Sequence, residues 1–262
     1  FKKPKNKGGS PIGDNEPPIL EAKKIKNTIN RQSTLFDDHG RLIPINLKNL
    51  ARTESRRRYI CDQPDLNYEI IYNRFKKTIG VGNVSLEEFE SRASRILSDI
   101  KNNSRSNNIL KGVHVPFLIP KLDKYFDIGE KLGEIFIPAV RNSFEESFPK
   151  YIFSNHYKGE LDGLLKPSKK SRHNKLIEKL NTETVVGYYF PCISDYSIPA
   201  AIEQIKNLPD NFILAGALDT SSAIIGSPSL LFRTEGYPPL LWFAGISVEK
   251  KEMGFHYEAY GY

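Results

Sequence analysis

The sequence predicts an α+β fold: a single domain with a mainly antiparallel sheet and packed helices, preceded by a flexible basic N-terminal arm. Three observations lead there. The stretch 185–262 opens on Val185-Val186-Gly187-Tyr188-Tyr189-Phe190 and closes on Phe255-His256-Tyr257-Glu258-Ala259-Tyr260. Aromatic and β-branched runs of this kind fit a pleated, half-buried surface, so the stretch reads as the sheet that supplies most of the core. Apolar stripes at helical spacing within 85–100 and 127–148 need a partner layer to cover them. Residues 1–30, rich in Pro, Gly, Asn and Lys, cannot bury enough apolar surface to offset the entropy of ordering them. The expected division is therefore an arm, disordered or extended, over 1–58 and an α+β domain over 59–262.

Charge follows the same division. The chain has 38 Lys and Arg against 31 Asp and Glu, a formal net charge of +7. Residues 1–60 alone hold 14 of the basic groups and 6 of the acidic ones, so the remainder is close to neutral. A globular nucleic-acid-binding face would carry the excess on the domain itself. Two cysteines, Cys61 and Cys192, and five scattered histidines supply neither a disulfide framework nor a zinc pattern. No apolar run approaches the roughly 20 residues of a membrane span. A soluble, cytoplasmic protein without cofactor or metal is the expectation, with oligomeric state left open. Because the sequence begins at Phe1 and stops within an apparent strand, a piece of a longer protein is also expected.

Taken in order, 34–49 offers isolated apolar residues (Leu35, Phe36, Leu42) without a period, as in an extended arm lying on the domain. Tyr68, Ile70, Ile71, Phe75 and Ile79 recur at helical spacing. Ser85 with Glu88 forms a capping box, and Phe89, Ala93, Ile96, Leu97 and Ile100 continue as a helical stripe. Residues 113–119 read as a strand that Pro116 confines to an edge. A long helix over 127–148 contains Pro138, which kinks or splits it. Residues 151–157 read as a short strand, 159–172 as a mobile loop and 173–180 as a short helix. Ser197 and Pro199 open another helix. The run 212–218 is too short to separate buried strand from buried helix, and Asp219 suits the cap of a helical turn through Ile225. Segments 240–248 and 253–260, joined by Glu249-Lys250-Lys251-Glu252, read as a hairpin whose residues alternate between core and exterior.

One set of residues has catalytic chemistry. Cys192 and Asp195 follow a strand end, and His256 and Glu258 approach them if the closing strand pairs near Val185 to Phe190. A thiol beside an imidazole is the minimum for a thiolate nucleophile. The plainer reading is a packed thiol, because cysteine is among the most buried residue types. Glu160, Asp162, Asp195, Asp219, Glu235 and Glu258 are candidates for an acid–base pair, with capping and solvation as their ordinary roles. His156 and His256 are the histidines expected to be ordered, whereas His39, His114 and His173 lack context. The glycines near Gly80 and Gly216 do not match a phosphate cradle, and the serines lack a nucleophile elbow.

Three functions follow. The first is a binding or scaffold module for a protein partner, using an aromatic sheet face with Tyr188, Tyr237, Trp242 and Tyr260 outward; Tyr and Trp join an apolar body to a polar handle. The second is a hydrolase or transferase at Cys192, Asp195, His256 and Glu258. The third is weak, salt-dependent polyanion contact through the arm and Arg56–Arg58.

Overall fold

Helix α1 (Tyr68–Thr78) opens where the side chain of Asn67 accepts the Ile70 N–H at 3.0 Å, relieving one of the donors that a helix start leaves unpaired. The computed structural model describes residues 34–49, 62–232, 240–248 and 254–259, all within one compact unit. Of the arm expected over 1–58, residues 1–33 and 50–58 with the Arg56–Arg58 run lie outside the described residues, as do Tyr237 and Tyr260.

Helix α2 (Leu86–Asn102) begins as the sequence indicates, with Ser85 Oγ accepting the Glu88 N–H at 3.2 Å. The reciprocal half of the box differs from expectation. Glu88 turns instead toward Arg92, one turn on at 3.4 Å. Phe89, Ala93 and Ile100 form its buried face.

Strand β1 (Val115–Ile119) pairs antiparallel with β3 (Val185–Tyr189), from Val115 opposite Tyr189 to Ile119 opposite Val185. The Leu118 N–H leaves the pair and bonds Ser222 Oγ at 3.2 Å. Pro116 shares that direction by strand alternation, so its missing N–H costs the β1–β3 ladder nothing.

The proline in the long helix has the expected effect. Helix α3 (Ile128–Lys131) widens into a π turn (Leu132–Phe136), closed by the Ile137 N–H on the Leu132 carbonyl, and resumes as α4 (Ile137–Ser147). Pro138 has no N–H for the Glu134 carbonyl and its ring crowds that group, and the wider turn gives it room.

Two loops depart from expectation. Residues 151–157 contain no strand, and 159–172 is packed rather than free. Leu161 and Leu165 are buried, and β2 (Lys166–Pro167) pairs with β5 (Ile246–Ser247). The short helix α5 (Asn174–Leu180) follows, and α6 (Ile198–Gln204) starts on Ser197 with Pro199 in its first turn.

The apolar run 212–218 resolves as the approach to helix α7 (Ala217–Gly226), whose ten residues are all buried. Asp219 acts as a cap from inside the helix, three residues past Gly216, where Oδ1 accepts the Gly216 N–H at 2.8 Å. Polar groups on every side tie this helix down. Ser222 Oγ donates to the Leu118 carbonyl at 2.6 Å, Ser143 Oγ to the Ile225 carbonyl at 2.7 Å and Arg74 to the Gly226 carbonyl at 2.8 Å. The core of 185–262 is thus organised by a helix. Its strands are short: β4 (Leu241–Trp242) pairs with β6 (His256–Tyr257), and β1–β3, β2–β5 and β4–β6 are three separate antiparallel pairs.

Buried apolar residues fall into two clusters. The larger gathers α1, the start of α2, β1, β3, the α3–α4 helix and α7. The smaller joins Leu35, Phe36 and Leu42 of the 34–49 segment to Ile100, Ile109 and the buried face of α6.

Replacing Ser222 by Ala removes the one side chain that serves both backbone groups of Leu118. The expected cost is about 1–3 kcal/mol, the range for stranding a buried polar group, read as a lower urea midpoint at unchanged slope. An unchanged midpoint contradicts this role.

Candidate functional site

The two clusters do not meet everywhere, and the gap is a cavity of about 460 Å³. One wall is β3 with Phe117 and Leu176, and the other is α6 with Ala201, Ile205 and Leu214. The chain from Tyr188 to Cys192 runs along it, and Trp242 stands at its partly exposed edge. Rings of His114, Tyr188, Phe190, Phe212 and Phe36 follow one another at centroid distances of 6.0–6.4 Å.

Residues 34–49 close one side. The Leu42 N–H bonds the Cys192 carbonyl at 3.0 Å, and Tyr196 donates to the Leu42 carbonyl at 2.7 Å. Gln204 reaches Ile45 twice, accepting its N–H and donating to its carbonyl, both at 2.9 Å, as a neighbouring strand would. The segment turns at Gly40, φ 75°, where a Cβ would fall 2.3 Å from the Gly112 nitrogen, so only glycine fits.

The residues singled out in the sequence fall into two groups. Cys192 and Asp195 face the 34–49 segment and share a small second cavity with Arg41 and Tyr196. Cys192 is a free thiol; burial pushes it up to about 12, so it is protonated at neutral pH. Burial also raises the Asp195 carboxyl, offset in part by Arg41. His256 lies in β6 and Glu258 just past it, with His256 Nε2 3.4 Å from Glu258 and its ring 4.3 Å from Trp242. Among the described residues no hydrogen bond or ion pair joins the two groups. The closing strand pairs with β4 rather than β3, and that register decides the outcome.

Of the alternation expected along the closing strand, 255–259 show only Tyr257 buried and its neighbours all half-buried. Tyr257 is buried, with its hydroxyl 2.8 Å from Ser221 Oγ, while His256 packs on Trp242 across the pair. Of the expected aromatic surface, Tyr188 turns inward. Its hydroxyl meets that of Tyr68 at 2.6 Å, and burial raises its phenol.

A residue without sequence context proves the more constrained. His173 is fully buried, with Nδ1 3.1 Å from the Leu214 carbonyl, to which it must donate. Among the described residues Nε2 has no hydrogen-bond partner. Two glycines hold the ring: a Cβ on Gly216 would lie 2.5 Å from Nε2, and one on Gly245 2.8 Å from Nδ1. Asp219 shares Gly216 with it and lines the cavity. Burial raises its carboxyl, against the nearby His173 and the N–H groups of the helix start. The loop entering His173 carries Lys170 and Arg172 at φ 67° and 63°. Arg172 compensates by donating to the carbonyls of Leu208, Pro209 and Phe212.

Among the described residues no group of His, Cys, Asp and Glu is placed to hold a metal ion, and no helix is long and apolar enough to cross a membrane. Comparison with protein-family models, curated proteins and solved structures finds no significant match to the chain.

In a Cys61→Ser background, native Cys192 is expected to react with iodoacetamide at pH 8 at least about tenfold more slowly than the urea-unfolded chain, since only the thiolate attacks. Equal or faster native reaction contradicts the desolvated thiol.

Proposed function

We propose that this chain is a binding module for a small, mainly apolar molecule held between its two clusters. The cavity supports the reading. Its volume of about 460 Å³ lies within the roughly 300–1,000 Å³ of small-molecule sites. Its walls are aliphatic and aromatic, with few polar groups converging on them, the lining that buries most of such a ligand's surface. Tyr188 and Trp242, expected to form an aromatic recognition face, both border this space. Binding is favoured over thiol chemistry because burial keeps Cys192 protonated and, among the described residues, no histidine hydrogen-bonds to it.

Trp242 is the chain's one tryptophan, so its emission reports on the site. A neutral apolar fluorophore, N-phenyl-1-naphthylamine, is expected to bind saturably and to quench Trp242 by energy transfer. Ala201→Phe, which places a ring in the space, is expected to weaken binding about tenfold or more, roughly 1.4 kcal/mol. Non-saturable binding to the native chain, or equal binding by a folded Ala201→Phe variant, overturns the proposal.

A further inference from the structure

Among the described residues that line the cavity four are charged: Asp210, Asp219, Lys175 and Lys179. Both acids are already matched. Asp219, almost completely buried, is held by the N–H groups of Gly216, Asp219 and Thr220 at its helix start, with His173 beside it. The Asp210 carboxylate is exposed and lies 3.3 Å from Arg172. The two lysines stand one turn apart on α5 and are exposed, while Leu176 of the same helix is buried and lines the same cavity. Helix α5 thus gives the cavity an apolar wall and a cationic rim.

Each ammonium carries three donors. Among the described residues Lys175 has no ion pair, and its Nζ donates to the neutral Asp210 carbonyl at 3.0 Å. It can take a carboxylate without releasing that carbonyl. Lys179 lies 3.6 Å from Glu183, an exposed contact that Glu183 shares with Arg92 at 3.9 Å. Exposed pairs of this kind contribute little in water, so they offer a second anion small resistance. A cationic head group at the same rim meets two like charges instead.

We infer that the ligand is an amphipathic carboxylate, with its head group at Lys175 and Lys179 and its apolar tail between β3 and α6. The assignment rests on the binding role proposed above and names the class of molecule for the same site. Three physical terms favour it. The head group stays at an exposed rim, so it keeps much of its hydration and avoids the large cost of burying a charge. The methylene stems of both lysines prolong the apolar wall while their ammonium groups remain in water. Leu176, Ile205 and Phe212 continue that wall for the tail. Asp219 sets the direction, because a buried acid disfavours a second carboxylate beside it and leaves that part of the lining to the tail.

The test displaces N-phenyl-1-naphthylamine from the full chain at neutral pH with n-octanoate, 1-octanol and n-octylamine, molecules of one length and three head groups. Octanoate is expected to displace the probe at a concentration at least about fivefold below octylamine. Replacing both lysines, Lys175→Gln with Lys179→Gln, keeps most of their length without the charge and is expected to abolish that preference. The pair Lys175→Arg with Lys179→Arg is expected to retain it. Octylamine displacing the probe as well as octanoate, or a preference that survives the Gln pair, overturns the inference and leaves the cavity reading standing. Failure of the neutral probe to bind the unaltered chain removes both. Should the Gln pair not fold, the octylamine-to-octanoate ratio of the unaltered chain decides alone.

Discussion

A helix with no exposed residue is the constraint on which this structure depends. Buried α7 cannot use solvent for the hydroxyls and backbone groups that its surroundings leave open, so other elements must come to it. Ser222 recruits the edge of β1, Ser143 and Arg74 satisfy the last carbonyls, and Ser221 meets the Tyr257 hydroxyl from the closing strand. Gly226 admits Phe75 and Ile71 of α1, since a Cβ there would lie 2.7 Å from the Phe75 ring. Three short strand pairs suffice because the helix, not a sheet, provides the continuous buried surface.

The site is a consequence of how this core ends. Just before α7 begins, Gly216 and Gly245 close on His173, and Asp219 turns back to cap Gly216. A second cluster, built on α6 and the 34–49 segment, docks nearby without filling the space between. Elements of both clusters therefore frame the cavity, with Asp219 in its lining and aromatic rings along its wall.

Local signals in the sequence were legible where a few neighbouring residues decide the structure. Ser85 and Ser197 cap the helices they announce, and Pro138 widens the helix it interrupts. The α+β class followed from these patterns. The run 212–218 was ambiguous for a physical reason: a helix buried on every side has no polar face and so no period. Residues 34–49 looked aperiodic because their apolar groups dock singly against distant elements. The catalytic grouping of Cys192 with His256 required a long-range strand register, and residues so far apart in sequence carry no trace of it. His173 was silent because Leu214, Gly216 and Gly245 come some 40–70 residues later.

Native-state hydrogen exchange resolved by residue tests the central claim most directly, because exchange separates segments that open locally from those released only by global unfolding. With α7 as the hub, the amides of 221–226 and of β1 exchange slowest, at the free energy of global unfolding, and the 34–49 segment with α6 opens earlier. Exchange of the α7 amides at rates close to those of an unstructured peptide, or before those of 34–49, would contradict the account.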